Sequence, residues 1–292
     1  MAPCPPRPAA LSRAFAAVAA ALLMAGCTPL GVFATFTPRD PALRAAMDQV
    51  YGDQPRQRLD LYAPRRIDVA RPVAVFIYGG GWETGRKWDY GWVAQALAAR
   101  GYVVVLPDYR LHPQVRFPVF LEDSAKAVRW AVDHAPAYGG DPSRIVLLGH
   151  SAGAYNAVML GLDRGYLTAA GVDPARIKAV VGIAGPYEFL PLEGHMEHVF
   201  GSAADPQVTQ PGRFARADAP PMLLITGDAD QEVNPGDTTA LTKTLRAAGA
   251  PAQERHYPQV GHNEIMAAIS RPFRGRASVL DDITAFMDQE TK

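Results

Sequence analysis

A serine, an aspartate and a histidine stand in sequence contexts that suit nucleophilic catalysis. Ser151 lies in GHSAG, residues 149–153, between the apolar run IVLLG and a helical pattern. This arrangement predicts a sharp strand-to-helix turn that raises the serine hydroxyl above a sheet. Glycines suit the flanking positions, because a Cβ there would crowd the turn. We therefore predict that Ser151 is the nucleophile.

A serine nucleophile needs a general base, and the base needs an orienting carboxylate. We predict His262, in VGHNE, as the base, and expect its competitor His256 to be a packed or half-exposed residue of a strand. Two aspartates in GDADQEV compete for the role of the acid. Asp230 is favoured because its position in the loop lets it reach His262 Nδ1, whereas Asp228 is expected to shape the turn.

The stretch YGGGW, residues 78–82, ends another apolar run with three glycines. A dinucleotide fingerprint would need glycine where Thr84 stands, and the G-K-[ST] of a P-loop is missing too. Acyl transfer instead needs N–H donors aimed at a tetrahedral oxyanion. We predict that the amides of Gly80, Gly81 and Ala152 form this oxyanion hole.

The elements that must hold these residues alternate along the chain. Short apolar runs bounded by Gly or Pro read as buried parallel strands, and amphipathic helical patterns separate them. The strand-like runs are RLDLY (58–62), VAVFIY (73–78), VVVLP (103–107), IVLLG (145–149), AVVGIA (179–184) and MLLIT (222–226). This alternation predicts an α/β fold with a doubly wound, mostly parallel sheet, in which chemistry occurs beyond the carboxyl ends of the strands.

Composition excludes some functions. The 292 residues contain 29 basic and 29 acidic side chains, so no basic excess points to nucleic acid. His195 and His198, in EGHMEH, make a zinc site imaginable, but no third ligand is placed beside them. We predict no metal and no organic cofactor.

Trp82, Tyr187 and Phe189 are candidates for a substrate pocket, with core packing as the equal alternative.

The N-terminus has the composition of an export signal. Arg7 and Arg13 precede the apolar run 14–26, which is short for a membrane span and ends in LLMAGC. This resembles a bacterial lipoprotein signal, which implies lipidation of Cys27. By the same resemblance, Thr28 after the cysteine implies the periplasmic face of the outer membrane. An ordinary signal peptide or an uncleaved anchor is the alternative.

Several motifs together resemble one enzyme family. YGGGW is similar to the HGGG or HGGxW motif of α/β hydrolases related to hormone-sensitive lipase, feruloyl esterases and kynurenine formamidase. PDYRL (107–111), EDSAKAVRW (122–130), GHSAG and GPYEFLPLEG (185–194) extend the resemblance over about residues 50–290. Asp230 also matches the D-x-x-V pattern of this superfamily. Tyr78 replaces the usual histidine, and we expect its ring or hydroxyl to brace the glycine loop.

The resemblance implies an α/β-hydrolase fold with a small cap or none, behind a lipoprotein signal at 1–26 and a tether and N-terminal segment at 27–49. The catalytic domain is expected at 50–292. We predict a serine carboxylesterase that cleaves a small-molecule ester through an acyl-enzyme, attached to the membrane by Cys27. An aryl formamidase or amidase with the same triad, and a non-catalytic lipoprotein scaffold, are the alternatives. Oligomeric state stays open.

Overall fold

The computed structural model describes residues 29–292. Eight strands form one sheet in the order β1-β2-β4-β3-β5-β6-β7-β8. The strands are β1 Leu43–Val50, β2 Arg58–Ala63, β3 Arg71–Ile77, β4 Val103–Pro107, β5 Gly140–His150, β6 Ile177–Ile183, β7 Met222–Gly227 and β8 Ala252–Tyr257. β1–β2 and β2–β4 are antiparallel pairs, and every other neighbouring pair is parallel.

Helices connect and cover these strands. They are α1 Pro29–Phe36, α2 Gly91–Ala99, α3 Val119–His134, α4 Ala152–Leu162, α5 Arg164–Ala169, α6 His195–Phe200, α7 Gly236–Ala247, α8 His262–Ala267 and α9 Val279–Glu290. Short 3₁₀ turns span Lys87–Tyr90, Ala135–Tyr138, Pro174–Arg176, Pro206–Thr209 and Pro211–Phe214. No helix among residues 29–292 combines the length and the apolar character that a membrane crossing requires.

The central strands confirm the predicted α/β fold with its mostly parallel sheet. All residues of β4 and β7, and the last five of β3, are buried, as continuous apolar runs predict for strands covered on both faces. α4 packs against β3, β5 and β6, and α2 packs against β2 and β4. These contacts fix the carboxyl ends of the strands, where the predicted site residues lie.

Two regions add detail that the strand pattern lacked. The long connection from β6 to β7 carries α6 and two 3₁₀ turns as its regular elements. Within 27–49, which we predicted as a tether and N-terminal segment, α1 and the edge strand β1 are ordered elements. Leu30 and Ala34 are buried on one side of α1.

Candidate active site

Ser151 occupies a strained turn between β5 and α4. Its φ of 54° and ψ of −125° lie in a region that a residue with a side chain rarely adopts. A Cβ on Gly149 would lie 2.1 Å from the carbonyl oxygen of Gly153. A Cβ on Gly153 would lie equally close, at 2.1 Å, to the Ile77 carbonyl of the neighbouring strand. The tight packing of this turn therefore explains both glycines of the motif.

Asp230 and His262 meet although 32 residues separate them. Asp230 follows β7 and His262 begins α8 just after β8, and their Oδ2 and Nδ1 atoms are 2.7 Å apart. The other oxygen, Oδ1, accepts the amides of Glu232 and Val233, each at 2.9 Å. Burial raises the pKa of Asp230, but the hydrogen bonds from His262 and these amides outweigh it, so the pKa falls below its ordinary value. The carboxylate is thus ionised and aimed at His262.

Ser151 and His262 open into one cavity of about 260 Å³, which Gly79, Gly80 and Gly81 also line. Among the described residues no hydrogen bond joins Ser151 Oγ to His262. Such catalytic hydrogen bonds commonly tighten only when substrate binds. The exposed Glu232 Oε2 lies 3.9 Å from His262 Nε2 at the same cavity. The structure therefore brings the predicted nucleophile Ser151 and the predicted base His262 to one cavity, and the predicted acid Asp230 contacts His262 without lining it.

A second aspartate–histidine pair lies outside this cavity. Asp228 Oδ1 is 2.7 Å from Nδ1 of His256, and Nε2 of His256 contacts Thr239 Oγ1 at 3.2 Å. We predicted that Asp228 shapes its own turn, but in the described structure its carboxylate bonds to His256 instead. His256 is a half-exposed residue of β8, as expected, and neither member lines the serine's cavity. Both pairs have the same contact distance, so burial beside Ser151 is what distinguishes Asp230 and His262.

The glycine loop after β3 presents unused N–H groups beside Ser151. Gly80 and Gly81 have φ values of 128° and 60°, a conformation that strains residues with a Cβ. Within residues 29–292 neither amide donates a hydrogen bond. Ala152 is the first residue of α4, so its N–H has no partner within the helix. These three amides are the predicted oxyanion donors.

Tyr78 and Arg56 hold the glycine loop from behind. Tyr78 is fully buried, and its hydroxyl accepts a hydrogen bond from Arg56 Nη2 at 2.6 Å. The same guanidinium donates to the carbonyls of Gly85 and Tyr109, at 2.7 and 2.8 Å. The Tyr109 ring stacks on Tyr78 at 4.7 Å between centroids, and its hydroxyl donates to the Tyr78 carbonyl at 2.9 Å. Both ring and hydroxyl of Tyr78 thus contact groups that position the loop.

A buried hydrogen-bond chain, which the sequence did not reveal, joins the glycine loop to the base. The Gly79 N–H donates to the Tyr90 hydroxyl at 3.3 Å, and this hydroxyl lies 2.9 Å from His150 Nδ1. Nε2 of His150 is 3.2 Å from the carbonyl oxygen of His262. His150 was visible inside GHSAG, but only the folded structure places Tyr90 beside it. Burial lowers the pKa of His150 well below its ordinary value, and His262 adds to the lowering.

The three substrate-pocket candidates do not line the cavity of Ser151. Trp82 is buried, donates its Nε1–H to Asn156 at 3.0 Å and packs edge-on against Phe200. Tyr187 is also buried, and Phe189 packs against Phe200 with 4.9 Å between ring centroids. Their contacts are those of core aromatic side chains.

The other histidines do not gather as metal ligands. His195 Nδ1 is 3.5 Å from Glu83 Oε2, and His112 Nδ1 is 3.1 Å from Glu83 Oε1. The described part of the chain holds no group of three or more His, Cys, Asp or Glu arranged around a possible metal ion. Cys27, predicted as the lipidated residue, lies outside the described residues.

Solved structures share this fold. A truncated carbohydrate esterase from gut microbiota superposes with a TM-score of 0.72 at 20% identity, covering 88% of this chain and 98% of the other. At this identity the likeness supports the architecture alone. It agrees with the eight-stranded sheet and its flanking helices.

Sequence comparison identifies the family. The chain is 31% identical to the isoprenylcysteine alpha-carbonyl methylesterase of Arabidopsis thaliana over 82% of its own length and 61% of the relative's. It is also 31% identical to the esterase LipC of Mycobacterium tuberculosis, over 75% of this chain and 58% of the relative. The chain thus spans about three fifths of these curated relatives. The BD-FAE family model matches residues 59–245, more than half of the chain. In agreement with the resemblance in its motifs, the chain belongs to the BD-FAE family of α/β-hydrolase esterases.

Proposed function

We propose that this protein is a serine carboxylesterase that works through an acyl-enzyme. The observation that carries the proposal is the buried contact of 2.7 Å between Asp230 and His262, beside the cavity that Ser151 enters. An ionised Asp230 accepts the Nδ1–H of His262, which leaves the Nε2 lone pair free to take a proton. The esterase names of the relatives favour esters as substrates.

The chemistry follows from these positions. Ser151 Oγ attacks the ester carbonyl as His262 Nε2 takes its proton, and Asp230 stabilises the imidazolium. The N–H groups of Gly80, Gly81 and Ala152 receive the negative oxygen of the tetrahedral intermediate. The alcohol leaves with the proton held by His262. Water, deprotonated by His262, then attacks the acyl-enzyme and releases the acid with Ser151 restored.

The cavity size bears on the substrate. Its volume of about 260 Å³ lies just below the range of about 300–1,000 Å³ that is typical of ligand sites. We infer that the acyl group is short, because the acyl carbon must reach Ser151 inside this space. Rates with p-nitrophenyl acetate, hexanoate and decanoate test this size limit, with acetate expected to react fastest.

A fluorophosphonate probe tests the nucleophile. The folded wild-type protein should be labelled, and Ser151→Ala should not be. Equal labelling of both would exclude Ser151, and no labelling of the wild type would favour the scaffold alternative. Parallel assays with p-nitrophenyl acetate and N-formylkynurenine separate the esterase from the formamidase, because a large preference for the second would reassign the reaction.

We further propose that Cys27 is lipidated and anchors the enzyme at the periplasmic face of the outer membrane. The proposal is supported by the basic residues, the apolar run and the LLMAGC stretch that precede Thr28. Cys27→Ser should abolish labelling by a palmitate analogue and release the protein from the membrane fraction. Unchanged retention would contradict lipidation.

A further inference from the structure

The large aromatic side chains that are exposed in the described structure surround one helix, α1. Phe36 ends this helix and is 82% exposed. Phe273 is exposed and lies against Phe33 of α1, with 5.9 Å between ring centroids. The exposed Trp88 lies under the guanidinium of Arg39, 5.9 Å from its ring centroid. Single exposed aromatics are common, but these three share one neighbourhood.

The same neighbourhood is basic. Residues 29–40 and 270–276 contain four arginines and one aspartate, Asp40, which pairs with Arg274 at 2.5 Å. Arg271 and Arg276 form no ion pair with any carboxylate of residues 29–292. Arg271 Nη1 contacts the Arg39 carbonyl at 3.4 Å, which joins the two segments. We define the aromatic–basic patch by its exposed members, which are Phe36, Trp88, Arg271, Phe273 and Arg276, with the half-buried Arg39 over the Trp88 ring.

The helix that contributes Phe36 to this patch, α1, also reaches the cavity of Ser151. Leu30, on the buried side of α1, lines the cavity together with Ser151 and His262. Tyr90, which lines the cavity too, follows Trp88 by two residues in the same 3₁₀ turn. Patch and cavity are therefore neighbours through α1 and the turn Lys87–Tyr90.

Chain length ties this face to the predicted anchor. Two residues, Thr28 and Pro29, lie between Cys27 and Leu30, and each of the three chain steps between them spans at most about 3.6 Å when extended. An anchor attached at Cys27 would therefore be tethered within about 11 Å of Leu30. A lipid attached to Cys27 would hold α1 close to the bilayer, and an uncleaved apolar run 14–26 would do the same.

We propose that the aromatic–basic patch docks on an anionic phospholipid surface, so that the esterase cleaves esters whose apolar alcohol is held in the membrane. This inference rests on the proposed esterase function. Exposed aromatic rings favour the membrane interface, and arginines are attracted to anionic headgroups. Aromatics and arginine also suit protein interfaces, but the nearby anchor favours the bilayer as the occupant. A tether at Cys27 leaves the orientation of the catalytic domain free, and the exposed arginines add the attraction to an anionic surface that would set this orientation.

Trp88 reports the docking directly. It is the exposed one among the four tryptophans, since Trp82, Trp92 and Trp130 are buried. The full-length protein would be reconstituted in phosphatidylglycerol–phosphatidylcholine vesicles with brominated acyl chains. We expect quenched tryptophan fluorescence that disappears in Trp88→Phe and persists in Trp130→Phe. An unquenched wild-type protein would overturn the proposal.

Two esters with the same acyl group test the consequence for substrate choice. The triple variant R271Q/F273S/R276Q should hydrolyse hexadecyl acetate in those vesicles about tenfold more slowly than the wild type. Its rate with water-soluble p-nitrophenyl acetate should stay within about twofold, because it keeps every residue around Ser151. Equal rates on hexadecyl acetate would contradict docking.

The failures of the two proposals are distinguishable. A wild-type protein that shows neither esterase activity nor probe labelling, but whose Trp88 is quenched by the vesicles, would overturn the proposed function and leave the docking supported. Full activity on p-nitrophenyl acetate without quenching would overturn only the docking. A third outcome is a dimer that dissociates in Phe273→Ser and in which lipid does not quench Trp88. It would identify a second copy of the chain as the occupant of the patch and overturn docking on the membrane.

Discussion

His150 Nε2 lies 3.2 Å from the carbonyl oxygen of His262, and the two imidazole rings are 4.7 Å apart between centroids. A carbonyl only accepts, so His150 donates from Nε2 and accepts at Nδ1 from the Tyr90 hydroxyl. Burial raises the pKa of Tyr90, which keeps this hydroxyl protonated and able to donate. The Gly79 amide completes the chain by donating to Tyr90. One neutral tautomer of His150 thus connects the backbone of His262, the predicted base, to the glycine loop that carries the predicted oxyanion donors.

Replacing His150 should reduce turnover through the position of His262. We expect His150→Leu to lower kcat at least tenfold with KM within about twofold, since misplacement by 1 Å can cost about 100-fold. His150→Gln should recover most of kcat, because its amide nitrogen lies as many bonds from Cβ as the imidazole Nε2. Steady-state kinetics with p-nitrophenyl acetate measure both variants. Equal losses of kcat in His150→Leu and His150→Gln would show that the hydrogen bond donated to the His262 carbonyl does not support turnover.

The buried neutral His150 should also make stability fall in mild acid. Its pKa in the folded protein is lowered, so below pH about 6.5 the unfolded chain binds a proton that the native state does not. Stability therefore decreases as pH falls through this value. Between pH 7.5 and 5.5 the wild type should lose about 1 kcal/mol more than His150→Gln. Urea unfolding at both pH values measures the difference, and parallel losses would contradict a neutral His150.

The two aspartate–histidine pairs offer a matched comparison. Asp230→Asn should lower kcat on the order of 10⁴-fold, because the base loses the carboxylate that fixes its tautomer. Asp228→Asn removes the same kind of contact, at the same 2.7 Å, from His256 on the exposed side of β8. We expect its kcat to stay within about twofold of the wild type. A large loss in Asp228→Asn would reassign the acid.

The glycine loop should tolerate no side chain at Gly80. A Cβ there would lie 2.4 Å from the Thr84 carbonyl oxygen, and the φ of 128° is strained for alanine. Gly80→Ala should therefore displace the oxyanion donors and lower kcat about 10²–10³-fold. Gly275→Ala is the control, since a Cβ there meets nothing within 4 Å. The melting temperature of each variant separates local displacement from unfolding, and a fully active Gly80→Ala would exclude this amide.

The Tyr78 hydroxyl should stabilise the loop through Arg56. Tyr78→Phe leaves the ring stacked on Tyr109 but removes the acceptor at 2.6 Å from the Arg56 guanidinium. We expect a loss of about 1.5–3 kcal/mol in the free energy of unfolding, because a hydrogen bond to a charged group is removed. Tyr166→Phe serves as the control, as its hydroxyl forms no hydrogen bond within the described chain. Equal stabilities of the two variants in urea would show that Arg56 gains nothing from Tyr78.

The sequence determined the features that depend on local spacing. Apolar runs bounded by Gly or Pro predicted the central strands, because a strand buried on both faces needs no polar alternation. GHSAG predicted the turn at Ser151, since only glycine fits where Gly153 meets the carbonyl of the adjacent strand. Ser151, Asp230 and His262 each follow a strand of the parallel part of the sheet, namely β5, β7 and β8. Because parallel strands end at the same edge of a sheet, their positions in the sequence predicted that these residues lie along one edge.

The tertiary structure decided which distant side chains meet. The sequence favoured Asp230 as the partner of His262, but it did not show that Asp228 binds His256, since the two lie 28 residues apart in the chain. The contact of Leu30 with the cavity likewise depends on α1 packing across the turn Lys87–Tyr90. Trp82 directly follows the glycine loop in sequence, but its indole Nε1–H donates to Asn156 of α4. Local residue spacing specifies elements and turns, whereas these pairings arise only when the packed core brings the elements together.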